Sequence, residues 1–220
     1  MVVSLIMSLS LELKNVSKSF KNKVIFYQAS CLFKVGCYAI IGSNGVGKTV
    51  FIEMLAGVLR QDAGLIYLEG IGSSKSCKYK NELAYIPSVP SFFPQATGEE
   101  FLNFIYSVKN GKKNLIHVHQ LIKDLQLTVH LKTRFNNMSL GTQKKLFLVT
   151  LVMNPSKLII MDEPSNALDD AACQILSELI KKLSQKAIVI LATHDQQLLE
   201  KIYPNIIKLT SNPTTELQCE

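Results

Sequence analysis

The chain has 220 residues, 47% hydrophobic and 19% charged, which supplies a sizeable core and excludes a disordered chain. Lysine and arginine exceed aspartate and glutamate by 24 − 17 = 7. The longest basic groupings are pairs such as Lys21/Lys23, Lys112/Lys113 and Lys144/Lys145, which read as solvated faces rather than a nucleic-acid footprint.

The opening stretch Met1 to Met7 is apolar, but it is short and has no basic residue, so it makes a poor signal peptide, and Met7 is an alternative initiator. The cysteines Cys31, Cys37, Cys77, Cys173 and Cys219 are scattered and odd in number, which argues against a disulfide framework or a zinc site and for a reducing compartment. The apolar runs fall far short of the roughly 20 residues that cross a bilayer. Any membrane role therefore has to come through partners.

Along the chain, alternating patterns at 9–16 and 24–33, with a polar turn at 17–23, predict a β-hairpin. A short apolar strand at 37–41 then passes through a glycine-rich turn into a helical pattern at 48–59. A strand follows at 82–86. Pro87, Pro90 and Pro94 break the chain before helical patterns at 99–108 and 115–127, so a helical lobe is expected over about 88–155. A helix opened by Ser139 is expected through Met153. Beyond it the chain alternates strand 157–161, helix 169–183, strand 187–192, helix 195–202 and a last strand near 206–209. This alternation predicts an α/β protein with a largely parallel, doubly wound core, one domain over 1–220, ending in a polar tail after Thr210.

The first chemical motif is Gly42-Ser43-Asn44-Gly45-Val46-Gly47-Lys48-Thr49, a full G-x-x-x-x-G-K-T pattern between a strand and a helix. Its glycines let successive N–H groups turn inward toward phosphate oxygens, the helix start adds positive potential, and Lys48 reaches the β and γ phosphates. Thr49 offers a hydroxyl to Mg²⁺. The second motif is the acid pair Asp162-Glu163, delivered by the apolar run Leu158-Ile159-Ile160-Met161 to the strand end where α/β sheets bind ligands. Asp162 is expected to hold Mg²⁺ through water, and Glu163 to orient and polarise the attacking water.

In this order of motifs the chain resembles the nucleotide-binding subunits of ABC transporters over nearly its whole length. Met138-Ser139-Leu140-Gly141-Thr142 is similar to the LSGGQ signature, Pro164-Ser165-Asn166-Ala167-Leu168-Asp169 to the D-loop, and Thr193-His194-Asp195 to the switch histidine. The resemblance implies a P-loop NTPase core with a mostly parallel sheet, an N-terminal antiparallel β subdomain and a helical lobe. It implies ATP and Mg²⁺ as cofactors, a second ATP-binding subunit packed head to tail, and separate membrane permease subunits. It also implies a place on the cytoplasmic face of the membrane, with no nucleic acid. Ser139 and Gly141 would contact ATP held by the partner subunit, and His194 would contact the γ phosphate and the Glu163 region. Phe20 stands where the family stacks an aromatic on adenine, with a core phenylalanine as the other reading. His117, His119 and His130 suggest helix surface.

Two positions depart from the family. Ser88 stands where a glutamine normally meets Mg²⁺ and the attacking water, and Gln95 does not fit that slot. Leu140 and Thr142 replace a glycine and the glutamine of the signature, a form similar to small exporter-type subunits, which points to export. Besides the transport motor, the Ser88 departure motivates a second reading, an ATP-dependent clamp or regulatory subunit with little hydrolysis. A third reading, a soluble ATPase acting on DNA or ribosomes, expects tandem domains or coiled-coil insertions, and the chain has neither.

Overall fold

The computed structural model describes residues 9–21, 23–108, 115–153, 155–210 and 214–217. The opening segment Met1 to Met7, Lys112/Lys113, Cys219 and most of the polar tail lie outside them. Strands β1 (Ser10–Phe20) and β2 (Lys23–Lys34) pair antiparallel from Ser10↔Lys34 to Phe20↔Lys23. The stretch expected as a turn at 17–23 is therefore mostly strand. Its polar side chains are used there: Ser17 Oγ accepts the Gln28 N–H at 2.9 Å, and Asp62 accepts the Ser19 N–H at 2.7 Å. Bulges between Leu13 and Ser19 break the alternation on which the sequence reading relied.

Next come β3 (Gly36–Ile41), α1 (Lys48–Leu55), β4 (Ala63–Leu68), β5 (Gly72–Ser73), α2 (Cys77–Asn81) and β6 (Leu83–Ile86). Helix α1 stops four residues short of the expected end. Gly57 takes φ 66° against the Ser74 carbonyl, and Val58 and Leu59 both donate to the Glu53 carbonyl, so the chain turns away. Then follow α3 (Gly98–Val108), α4 (Leu115–Asp124), α5 (Leu140–Met153), β7 (Leu158–Asp162), α6 (Asp170–Leu183), β8 (Ile188–Ala192), α7 (Gln196–Ile202), β9 (Asn205–Lys208) and β10 (Thr214–Glu216).

Two five-stranded sheets result. One is ordered β10-β2-β1-β4-β5, with β1, β2, β4 and β5 paired antiparallel; the other is the all-parallel β6-β7-β8-β3-β9. Every residue of β7 and β8 is buried, as parallel strands covered on both faces must be. Alternate residues serve two cores. Leu158, Ile160, Ile188 and Ile190 face α1 and the antiparallel sheet, in a core with Phe26, Phe33 and Phe51. Ile159, Met161, Val189 and Leu191 face the helices, in a core with Phe101, Leu146, Leu176 and Leu198. Burying each such side chain contributes about 1.5–3 kcal/mol before conformational entropy opposes it. Among the described residues no helix is long and apolar enough to cross a membrane.

Candidate functional site

The site lies at the C-terminal edge of the parallel sheet, where β3, β7 and β8 end together. After β3, Gly42 (φ 154°), Gly45 (φ 77°) and Gly47 (φ 116°) curl the loop into α1. Two of them are also sterically required. A β-carbon at Gly42 would lie 2.6 Å from the Leu209 carbonyl oxygen, and one at Gly47 would lie 2.6 Å from Ile25 Cγ2. The Lys48 ammonium turns back into the loop, donating to the Gly42 carbonyl at 2.8 Å and the Ser43 carbonyl at 3.2 Å. Ser43, Asn44 and Gly45 are exposed, whereas Val46 is buried and packs beneath the loop.

Thr49 Oγ1 donates to Asp162 Oδ2 at 3.0 Å across from the end of β7. The Ser88 side chain lies near the same carboxylate. Asp162 is 1% exposed, and burial pushes its carboxyl up, opposed by the Thr49 hydrogen bond and by the Ser88 side chain, which acts to lower its pKa. Ser88 thus stands beside Asp162 at the edge of the site, without the reach of a glutamine.

Glu163 follows in the left-handed region at φ 45°, and Ala167 does the same at φ 64°, each at a cost of roughly 1–3 kcal/mol for a residue other than glycine. The Glu163 N–H donates to the Ala192 carbonyl at the end of β8 (2.8 Å). Its Oε1 meets His194 Nδ1 at 2.9 Å, while Oε2 is buried with no hydrogen-bond partner. His194 is well exposed, its side chain 69% accessible, so it faces outward over the acid. The next residue, Asp195, caps α7 by accepting the Leu198 N–H at 3.1 Å.

Ser139 Oγ accepts the Thr142 N–H at 3.2 Å and shares a hydrogen bond with Thr142 Oγ1, capping α5 as its sequence position predicts. Gly141 packs so closely on the D-loop that a β-carbon there would lie 2.3 Å from the Ala167 carbonyl oxygen. Phe20, at the end of β1, is 44% exposed with Lys18 Nζ 5.1 Å from its ring centre, so the core reading of that residue is wrong. His117 and His119 are exposed on α4.

Lys144 corrects the sequence reading. Expected as part of a solvated pair, it is 1% exposed, and its ammonium donates to the Glu163 carbonyl oxygen at 2.5 Å. Burial pulls its pKa down, opposed by the charges of Glu163 and Asp162. Nothing in the pattern Gln143-Lys144-Lys145 announces this burial, and Lys145, its side chain only 15% accessible, is also not a solvated lysine but pairs with Asp169.

These groups fit a nucleoside triphosphate and Mg²⁺. The loop presents backbone donors and an ammonium to phosphate, and the Thr49 hydroxyl with the Asp162 carboxylate is the hard-oxygen pair that Mg²⁺ takes beside phosphate oxygens and water. Glu163 Oε2 is a buried acceptor that the protein alone leaves without a hydrogen-bond partner. Such a loop joined to a strand-end acid pair defines a P-loop nucleotide-binding protein.

Comparison with known proteins gives the family. The family profile described as ABC transporter matches residues 30–166. The cytochrome c biogenesis ATP-binding export protein CcmA of Reclinomonas americana is 30% identical over 196 residues, which cover 87% of this chain and 88% of that protein. The ribose import ATP-binding protein RbsA of Bacillus cereus is 28% identical over 193 residues, 83% of this chain, and the chain spans 39% of its length. A solved ATP-binding subunit of an ABC transporter superposes with a TM-score of 0.84 over 94% of this chain and 87% of that one, at 24% identity. A dimeric ATP-binding cassette in a post-hydrolysis state with ADP and Pi gives 0.80 over 96% and 97%, at 19% identity, a likeness of fold. The chain belongs to the ABC transporter family, among its ATP-binding subunits, whose ATP-binding domains are ATPases.

Proposed function

We propose that the chain is the motor subunit of an ABC exporter: a single ATP-binding domain over 1–220, with a helical lobe at about 88–155, that hydrolyses ATP between two such subunits. The observation that carries this reading is the state of Glu163, one carboxylate oxygen on His194 at 2.9 Å and the other buried and unpaired beside the Thr49–Asp162 pair. In this reading Gly42 to Gly47 and Lys48 hold the phosphates, and Phe20 stacks on the base. Thr49 and Asp162 hold Mg²⁺, which supplies neutralisation of phosphate charge when bound. Glu163 orients the attacking water and accepts its proton, and His194 keeps the carboxylate aimed. Ser139 and Gly141 meet the nucleotide held by the partner subunit. The clamp reading is less favoured, since Lys48, Asp162, Glu163 and His194 are all gathered at the site.

Val89, Phe93 and Phe104 are 68%, 67% and 46% exposed at the start of the helical lobe, the rings of Phe93 and Phe104 both flanking Phe92, and exposed apolar groups here suit a membrane permease subunit, with the domain held on the cytoplasmic face. Export is favoured on the signature form with Leu140 and Thr142, and the CcmA of Reclinomonas americana is named for export, whereas RbsA is named for import. The test is phosphate release with Mg²⁺ and ATP. Glu163→Gln is expected to lower turnover by about 100-fold or more while retaining nucleotide binding. Turnover within about threefold of the unmodified chain would assign the water-activating role elsewhere.

A further inference from the structure

We infer that Lys144 is a positioning residue for ATP hydrolysis: its buried ammonium grips the main-chain carbonyl of Glu163 and ties the aim of that carboxylate to the signature helix α5. The inference rests on the ATPase reading above and deepens it.

Lysine is almost never fully buried unless it is paired, and this one sits in a helix whose inward neighbours Leu146, Leu148 and Val149 are all buried and apolar. A contact needing only packing would be filled by leucine, without the penalty of an ammonium kept from water. The ammonium instead reaches one specific atom, the Glu163 carbonyl oxygen. The peptide groups flanking Glu163 are thereby held from two elements at once. Its N–H is bound to Ala192 at the end of β8, immediately before Thr193 and His194, and its C=O accepts the Lys144 ammonium from α5 as well as the Asn166 N–H at 3.3 Å within the D-loop turn. Between these grips Glu163 keeps a left-handed conformation, φ 45°, that its own preferences disfavour.

One turn N-terminal to Lys144 on the same helix, Gly141 packs on the carbonyl of Ala167. Helix α5 therefore touches both ends of the segment from Glu163 to Ala167. A displacement of α5 changes the peptide plane of Glu163, and with it the placement of a carboxylate that His194 holds only through Oε1. Lys144 reaches the backbone of Glu163 rather than its carboxylate, so it acts through that residue.

The test compares Lys144→Met, similar in length and uncharged, with Lys144→Arg, which restores a cationic donor. Lys144→Met is expected to lower kcat by about tenfold or more, the loss of a charge-assisted hydrogen bond, while the KM for ATP stays within about twofold and Tm is preserved. Lys144→Arg is expected to recover part of kcat. Hydrogen–deuterium exchange supplies a readout free of turnover: amide exchange in the segment 163–167 is expected to quicken about tenfold in Lys144→Met and to slow again in Lys144→Arg. Unchanged exchange, unchanged kcat, or kcat, KM and Tm falling together in both variants would overturn the assignment. An unmodified chain without turnover would sink the ATPase reading, and the exchange comparison would still decide whether Lys144 holds Glu163.

Discussion

A methyl group added at Gly141 would lie 2.3 Å from the carbonyl oxygen of Ala167, closer than atoms tolerate, so the signature helix or the D-loop would have to move. Gly141→Ala is expected to destabilise the protein by about 1–3 kcal/mol, read as a Tm lower by about 2–4 °C per kcal/mol. An unchanged Tm would mean the contact yields freely. The sequence carried the position of Gly141 in the signature, but this contact depends on Ala167 standing at φ 64° in the D-loop, which no local pattern announces. Lys48, Asp162 and Glu163 were legible because their chemistry is tied to a spacing and to a strand end. Lys144 was not, because burial is decided by what packs over α5, and a lysine beside a lysine looks the same in water and in a core.

At the scale of the element, the turns between sheet and helix rest on carboxylates that close backbone donors. Asp169 caps α6 by accepting the Ala172 N–H at 2.8 Å and is held by Lys145. Asp62 joins the Lys18 ammonium at 2.8 Å and the Ser19 N–H at 2.7 Å. The Lys145 hydrogen bond holds the Asp169 carboxyl below its ordinary value, and the Lys18 hydrogen bond does the same for Asp62. In the unfolded chain such carboxyls titrate near 3.9. Held lower in the fold, they contribute stability that is complete above that value and is lost as pH falls through their folded values. Thermal melts between pH 7 and pH 3 should show Tm falling at the acid end less steeply in Asp169→Ala, which should already have lost about 1 kcal/mol at pH 7 with its cap. Parallel acid profiles in the two proteins would contradict the assignment.

The elements themselves were legible in proportion to their periodicity. The apolar runs that became β7 and β8 and the amphipathic run that became α6 were placed within a residue or two. β4, β5, α2 and β10 carried no clear pattern. β5 is two residues long and β10 three, and both exist because a longer strand offers them an edge. The β1–β2 pair was mistaken for a shorter hairpin because its bulges put polar residues where alternation predicts apolar ones.

At the scale of the whole molecule, the parallel sheet separates two cores, and its C-terminal edge gathers groups from both sides. The phosphate loop and α1 belong with the antiparallel sheet; the signature helix and the lobe belong with the other core. Glu163 and its D-loop lie where these bodies meet, with Lys144 and Gly141 reaching them from α5 and Thr49 reaching Asp162 from α1. In one copy the hydroxyl of Ser139 is exposed and engaged with Thr142, on a surface that a second copy can approach. The central claim is that two such sites close on ATP and that hydrolysis at Glu163 reopens them. It is tested most directly by size-exclusion chromatography with light scattering on Glu163→Gln, with and without ATP. A dimer that forms with ATP, persists in this variant and dissociates in the unmodified chain as ATP is consumed is the predicted result; a variant that stays monomeric at saturating ATP would contradict it.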